Sequence, residues 1–135
     1  MSPDEKEQLV ALLLDAQRWC QGAEARDAAG HDVAYSDADA TAWDVTGAAC
    51  HLFGVRRACE LFVEIDCHLH DRARPGVNKS QAEIAAMVAV QTWNDDTATT
   101  HGELLAQLQT LPVGVVARSA PGLPAGDTVP EGIEP

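Results

Sequence analysis

The chain has 135 residues, 46% of them hydrophobic, and a formal net charge of −12. That length is about one domain's worth and the apolar content is enough for one core, so a single helical domain over residues 1–111 followed by a Pro/Gly-rich tail, 112–135, is expected. So negative a surface repels phosphate backbones and anionic lipid, which argues against direct nucleic-acid or membrane binding.

The longest apolar runs, residues 9–14 and 84–90, fall far short of the roughly 18 residues that read as a membrane span. Asp4 and Glu5 stand where a secretory signal would carry positive charge, so a cytoplasmic protein is expected. Charge is unevenly spread: residues 1–53, 54–80 and 81–135 carry −7, +1 and −6. The middle window thus holds a basic island of Arg56, Arg57, Arg72, Arg74 and Lys79.

The spacing predicts an all-α protein, a compact bundle of four to five helices with a long loop after the first. Three times a hydroxyl residue precedes glutamate by three places: Ser2-Pro3-Asp4-Glu5, Ser80-Gln81-Ala82-Glu83 and Thr100-His101-Gly102-Glu103. Each is a capping-box signature. The first helix is predicted over residues 3–20, with Pro3 at its first position and Leu9, Leu12, Leu13, Ala16 and Cys20 inward. Residues 21–35 read as an irregular segment, and a loop of that length is a natural first place to look for a site. A second helix is expected from Ser36 or Asp37, with Ala40, Trp43, Gly47 and Cys50 on one face. Its small residues 47–50 would admit a close neighbouring helix.

Beyond Gly54, Ala58, Leu61, Phe62, Ile65 and Leu69 predict a third helix over residues 55–71, stopped by Arg72, Arg74, Pro75 and Gly76. Ser80 is expected to cap a fourth, with Ile84, Met87, Val88 and Gln91 inward and Asn94 as a left-handed C-terminal residue. Thr100 is expected to cap a fifth, with Leu104, Leu105, Leu108 and Leu111 inward and Pro112 as its stop. Five of the seven prolines fall between 112 and 135, so that segment reads as a disordered, flexible tail. Cys20, Cys50, Cys59 and Cys67 form no C-x-x-C pair and read as reduced thiols.

Arg18-Trp19-Cys20-Gln21-Gly22-Ala23, Ala25-Arg26-Asp27 with Gly30, Ala42-Trp43 before Gly47-Ala48, and Thr92-Trp93-Asn94-Asp95 before Thr100-His101-Gly102-Glu103-Leu104 carry a resemblance. In order and spacing they resemble a bacterial and bacteriophage family of short proteins, a domain of unknown function, over residues 3 to about 111. The resemblance implies no activity, cofactor or catalytic residue. That family usually has a cysteine beside its second tryptophan, where Asp44 stands here, so no role for a thiol carries over to that position.

Two constellations carry chemistry. Glu64, Cys67, His68 and His70, with Glu60, Asp66 and Asp71 nearby, sit at helical spacings that could clamp a metal, zinc being the ion such a donor set suits. Solvated side chains on an exposed helical face give the same pattern, and no cofactor is otherwise implied. The second joins Arg26 and Asp27 in the long loop to Trp93, Asn94 and Asp95. Structurally, Trp93 would anchor the loop while Arg26 pairs with Asp95 or Asp96; functionally, the same residues would rim a pocket for an anionic group. Trp19 and Trp43 read as core aromatics.

No G-x-S-x-G, H-E-x-x-H or glycine-rich phosphate loop is present, so an enzyme is not the expectation and no catalytic residue is assigned. The leading reading is an acidic binding module for a basic protein partner, phage-related or regulatory. The alternative is a ligand- or metal-binding protein using the 64–71 cluster or an Arg26/Asp95 pocket.

Overall fold

The computed structural model describes residues 1–73, 76 and 78–114. Arg74 and Pro75, expected to help stop the third helix, and the tail from residue 115 onward lie outside the described residues. Among the described residues the chain forms α1 (Pro3–Leu13), a 3-10 turn (Ala16–Arg18), β1 (Ala25–Asp27), β2 (Ala40–Trp43), α2 (Val45–Phe53), α3 (Val55–Leu69), α4 (Lys79–Asp95) and α5 (His101–Gln109). No helix among them is long and apolar enough to cross a membrane.

Among the described residues five helices are present, within the four to five expected, but the all-α expectation needs correcting, because the segment after α1 carries a two-stranded antiparallel ribbon. Ala25 pairs with Trp43 and Arg26 with Ala42, and a bulge precedes the pairing of Asp27 with Ala40. The second helix does not begin at residue 36 or 37. Residues 40–43 are extended, with β-branched Thr41 and aromatic Trp43 suited to a strand, and Asp44 then caps α2 by accepting from the Gly47 amide at 2.6 Å.

The first helix likewise stops at Leu13, short of Cys20. Asp15 opens the 3-10 turn by accepting from the Gln17 amide, the local backbone competition that makes aspartate a helix terminator. Cys20 is then free to bond its amide to the Trp43 carbonyl at 3.1 Å.

Of the three capping signatures only Ser2/Glu5 closes reciprocally. Thr100 caps α5 through the Glu103 amide, while α4 is capped by Asn78, not Ser80, and starts at Lys79. The inward face of α4 is also rotated from the expected one: Ala82, Ala86, Val90 and Asn94 are buried, and Ile84 and Val88 are exposed. Close packing on α3 explains this, since small Ala82 and Ala86 meet Ala58 and Phe62 where larger side chains would hold the helices apart. Asn94 lies inside the helix and is not left-handed. Gly54, at φ +82°, caps the end of α2 and the start of α3.

The main core joins Leu9 and Leu13 of α1, Ala25 and Trp43 of the ribbon, Val45 and Ala48 of α2, Leu61 and Ile65 of α3, Val90 of α4, and Leu104 and Leu108 of α5. All four cysteines are free thiols.

Candidate functional site

The small run at residues 47–50 does admit a close neighbour, but that neighbour is backbone from the ribbon. A Cβ at Gly47 would collide with the Glu24 carbonyl, and the Asp44 amide bonds that same carbonyl at 3.2 Å. The ribbon is thus pressed against the first turn of α2. Beside it, residues 19–22 run across the carboxyl end of α4.

Asn94 organises that crossing. Fully buried, its Oδ1 accepts from Trp19 Nε1 at 2.7 Å and from the Val45 amide at 3.1 Å, while its Nδ2 donates to the Cys20 carbonyl at 3.1 Å. Gln21 Nε2 lies within bonding distance of the carbonyls of Asn94, Asp96 and Thr99, so it terminates α4 from outside. Asp95 accepts from the Gly22 amide at 2.9 Å. From the other side, Arg26 Nη2 donates to the Gln21 carbonyl at 3.0 Å.

Arg26 and Asp95 therefore grip the same loop from opposite faces and do not pair. The partner of Arg26 is Asp32, at 2.8 Å. Asp27 turns its Oδ1 onto the Ala29 and His31 amides, and these hydrogen bonds hold its carboxyl below the usual range. Trp93 is half-buried against the main core, as is Trp19, whereas Trp43 is buried, donates to the Tyr35 carbonyl and stacks on His51 at 4.5 Å.

Arg18, Trp19, Cys20, Arg26, Asp27 and Thr41 are among the residues lining an open cleft of 660 Å³. Burial pushes the Cys20 thiol up to about 11, so it is a poor nucleophile near neutrality. Asp44 is buried at the head of α2, and loss of solvent raises its carboxyl to about 6 against the Gly47 and Thr46 bonds that favour its charge.

The structure places the candidate metal cluster of Glu64, Cys67, His68 and His70 along α3 and just beyond it. Glu64 takes the terminal ammonium of Met1, His68 Nε2 meets Thr110 Oγ1 at 3.0 Å, and His70 Nδ1 meets Asp66 Oδ1 at 2.7 Å. Glu64, Cys67 and His68 share a small open pocket with Pro112, and His70 is not among its lining residues. Among the described residues no group of three or more His, Cys, Asp or Glu is placed to hold a metal ion.

A further grouping was not legible as a site. The carboxyl ends of α1 and α4 are linked through His101 at the amino end of α5: His101 Nε2 contacts the Leu13 carbonyl at 2.8 Å, and the Trp19 ring, bonded to Asn94, lies 5.9 Å from His101. Neither helix has a basic residue in its last turn. Asp15, Asp95 and Asp96 stand at these ends, all exposed. Only the resemblance, through Arg18-Trp19-Cys20-Gln21-Gly22-Ala23 and Trp93-Asn94-Asp95, pointed to these segments together.

Fold and site define a small helical domain in which a β-ribbon and its leading loop are bolted to the carboxyl end of one helix. The chain belongs to the Family of unknown function (DUF6197), whose model matches residues 3–111. No curated protein and no solved structure gives a significant match.

Proposed function

We propose that this protein is a non-enzymatic binding module that presents the negative pole formed by α1 and α4 to a basic segment of a protein partner. The observation that carries the reading is the linking of two helix carboxyl ends through His101 and Trp19, with Asp15, Asp95 and Asp96 exposed beside them. Each helix end already bears a partial negative charge of about half a unit, and an acid there costs roughly 0.3–1 kcal/mol. A cationic segment bound at the pole relieves that repulsion. Arg18, in the intervening turn, offsets one of these charges.

The distribution of cations supports the same reading. Arg57 is taken by Glu5 and Glu60, Arg72 by Asp66, Lys79 by Glu60, and Arg26 by Asp32. These cations are engaged by acids elsewhere in the chain and not by Asp15, Asp95 or Asp96, so in a chain of net charge −12 the pole stays negative and can steer a basic partner. A regulatory accessory role, in the bacterial or phage setting the resemblance implies, fits a module of this kind. The cleft beside Arg26 and Asp27 has less support as a ligand site, because both side chains are engaged with their own loop.

The test is fluorescence anisotropy of a labelled lysine-rich peptide against the protein and against Asp15→Asn/Asp96→Asn, which keeps both side chains able to cap. At about 0.7 kcal/mol per exposed charge pair, the double variant binds about tenfold more weakly. Equal affinity of the two proteins would refute the assignment of the pole.

A further inference from the structure

A groove of 490 Å³ follows the outer side of α1 past Pro3, Glu7, Val10, Ala11 and Leu14, and Gln109 and Val113 stand on its other side. Its apolar lining is open to solvent: Leu14 is 57% exposed and Val113 41%. Lys6, the base that lines it, is already engaged, its Nζ donating to the Leu111 carbonyl at 3.0 Å. Glu7, the acid that lines it, is exposed.

The chain passes out of the described residues at this groove. Helix α5 runs opposite to α1: His101 meets the Leu13 carbonyl at one end, and past the other the Gly114 amide bonds the Met1 carbonyl at 2.6 Å. The next residues therefore begin level with the amino end of α1, and glycine at 114 lets the chain turn back along it. They read Val115-Val116-Ala117-Arg118-Ser119, small or apolar except for Arg118, the only base beyond Lys79.

We propose that residues 115–119 of this chain lie extended in that groove, with the valines on its apolar lining and Arg118 beside Glu7. Pro3 to Leu14 spans about 16 Å at 1.5 Å per residue, and five extended residues cover the same length at about 3.3 Å each. Four such steps place Arg118 about 13 Å beyond Gly114. Glu7, six residues past Met1, stands about 9 Å along at the helical rise, a difference the arginine side chain spans. Farther down the tail Asp127, Glu131 and Glu134 would bring like charge to Glu7, so the segment next to Gly114 is the better occupant. Size also selects a tethered occupant. A strip about 16 Å by 10 Å offers about 160 Å², against about 800 Å² per partner for a separate chain, whereas a segment joined directly to the groove acts at an effective concentration of about millimolar.

Nuclear Overhauser contacts between labelled methyl groups in the full-length protein read this directly. No basic peptide is present, so the outcome is separate from that of the partner reading. The expected result is contacts from Val115, Val116 and Ala117 to Val10, Ala11 and Leu14, with backbone order parameters at 115–118 near the rigid value of about 0.85. Leu14→Lys abolishes the contacts and drops those order parameters below about 0.6. Glu7→Arg weakens the contacts and Glu7→Arg/Arg118→Glu restores them. Far-ultraviolet circular dichroism checks that each variant is folded, and Ala11→Lys serves if Leu14→Lys is not. Wild-type residues 115–119 without such contacts overturn the proposal. So do contacts found only between differently labelled chains in a mixed sample, which would give the groove to a second copy. Failure of the charge swap to restore the contacts overturns the pairing of Arg118 with Glu7.

Discussion

Truncating Asn94 to alanine probes the joint between the ribbon and the helices. The side chain is fully buried and bridges three segments: it accepts from Trp19 Nε1 and the Val45 amide and donates to the Cys20 carbonyl. Its loss leaves the Val45 N–H and the Cys20 carbonyl without those partners in a site water does not freely reach. Each orphaned buried group costs roughly 1–3 kcal/mol, so the pair costs about 2–6 kcal/mol. The half-buried Trp19 indole adds less, because solvent can replace its acceptor. We expect a loss of about 4 kcal/mol on the same scale, a large share of the 5–15 kcal/mol that holds a typical domain. Urea unfolding followed by tryptophan fluorescence measures it, with Trp19 as a local reporter. A loss below about 1 kcal/mol, the net worth of one ordinary hydrogen bond, would refute the argument that this side chain bolts the two parts together.

Gly47→Ala drives a methyl into the Glu24 carbonyl, and since that atom belongs to backbone tied to Asp44, the strain cannot be shed cheaply. The expected cost is about 3 kcal/mol or more, read from a thermal melt; an unchanged midpoint would mean the ribbon sits further from α2 than described. For Asp44 the folded carboxyl, at about 6, titrates above an unfolded value near 4. Folding therefore takes up a proton across that window, and the part of the stability due to this group falls as pH rises from about 4 to 6. Asp44→Asn keeps the cap and removes that slope; a variant whose midpoint still follows the wild-type curve there would locate the titration elsewhere. Glu5 behaves oppositely: the hydrogen bonds from Arg57 hold it near 2, so its contribution is complete above about 4.5 and lost as pH falls toward 2. Melts of Glu5→Gln should lack that acid-side loss, and a variant that retains it would exclude the Glu5–Arg57 pair as its source.

The helical parts of the fold were legible because their signals are local. Ser2 with Glu5 and the α3 stripe act through bonds or spacings of three or four residues and behave as their spacing implies, while Thr100 caps α5 without the reciprocal glutamate bond. The ribbon was not legible, because Ala25-Arg26-Asp27 and Ala40-Thr41-Ala42-Trp43 are too short to show alternation and are fixed by pairing with each other. In α4 the larger side chains Ile84 and Val88 drew the inward face to the wrong side, since hydrophobic size does not register the close α3 contact that only alanine permits. Arg26 and Asp95 bond the same Gln21–Gly22 backbone and not each other, and that backbone is invisible to a charge-pair argument. Asp44 and Gln21, the cap and the outer clamp, carried no recognisable spacing at all.

The central claim, that the pole where α1 and α4 end receives a cationic segment, is tested most directly by amide chemical-shift mapping with a lysine-rich peptide. The account predicts shifts concentrated at Asp15, Trp19, Gln21, Asp95, Asp96 and His101, fading as salt rises. Shifts centred on α2 and α3, or a response indifferent to salt, would contradict it.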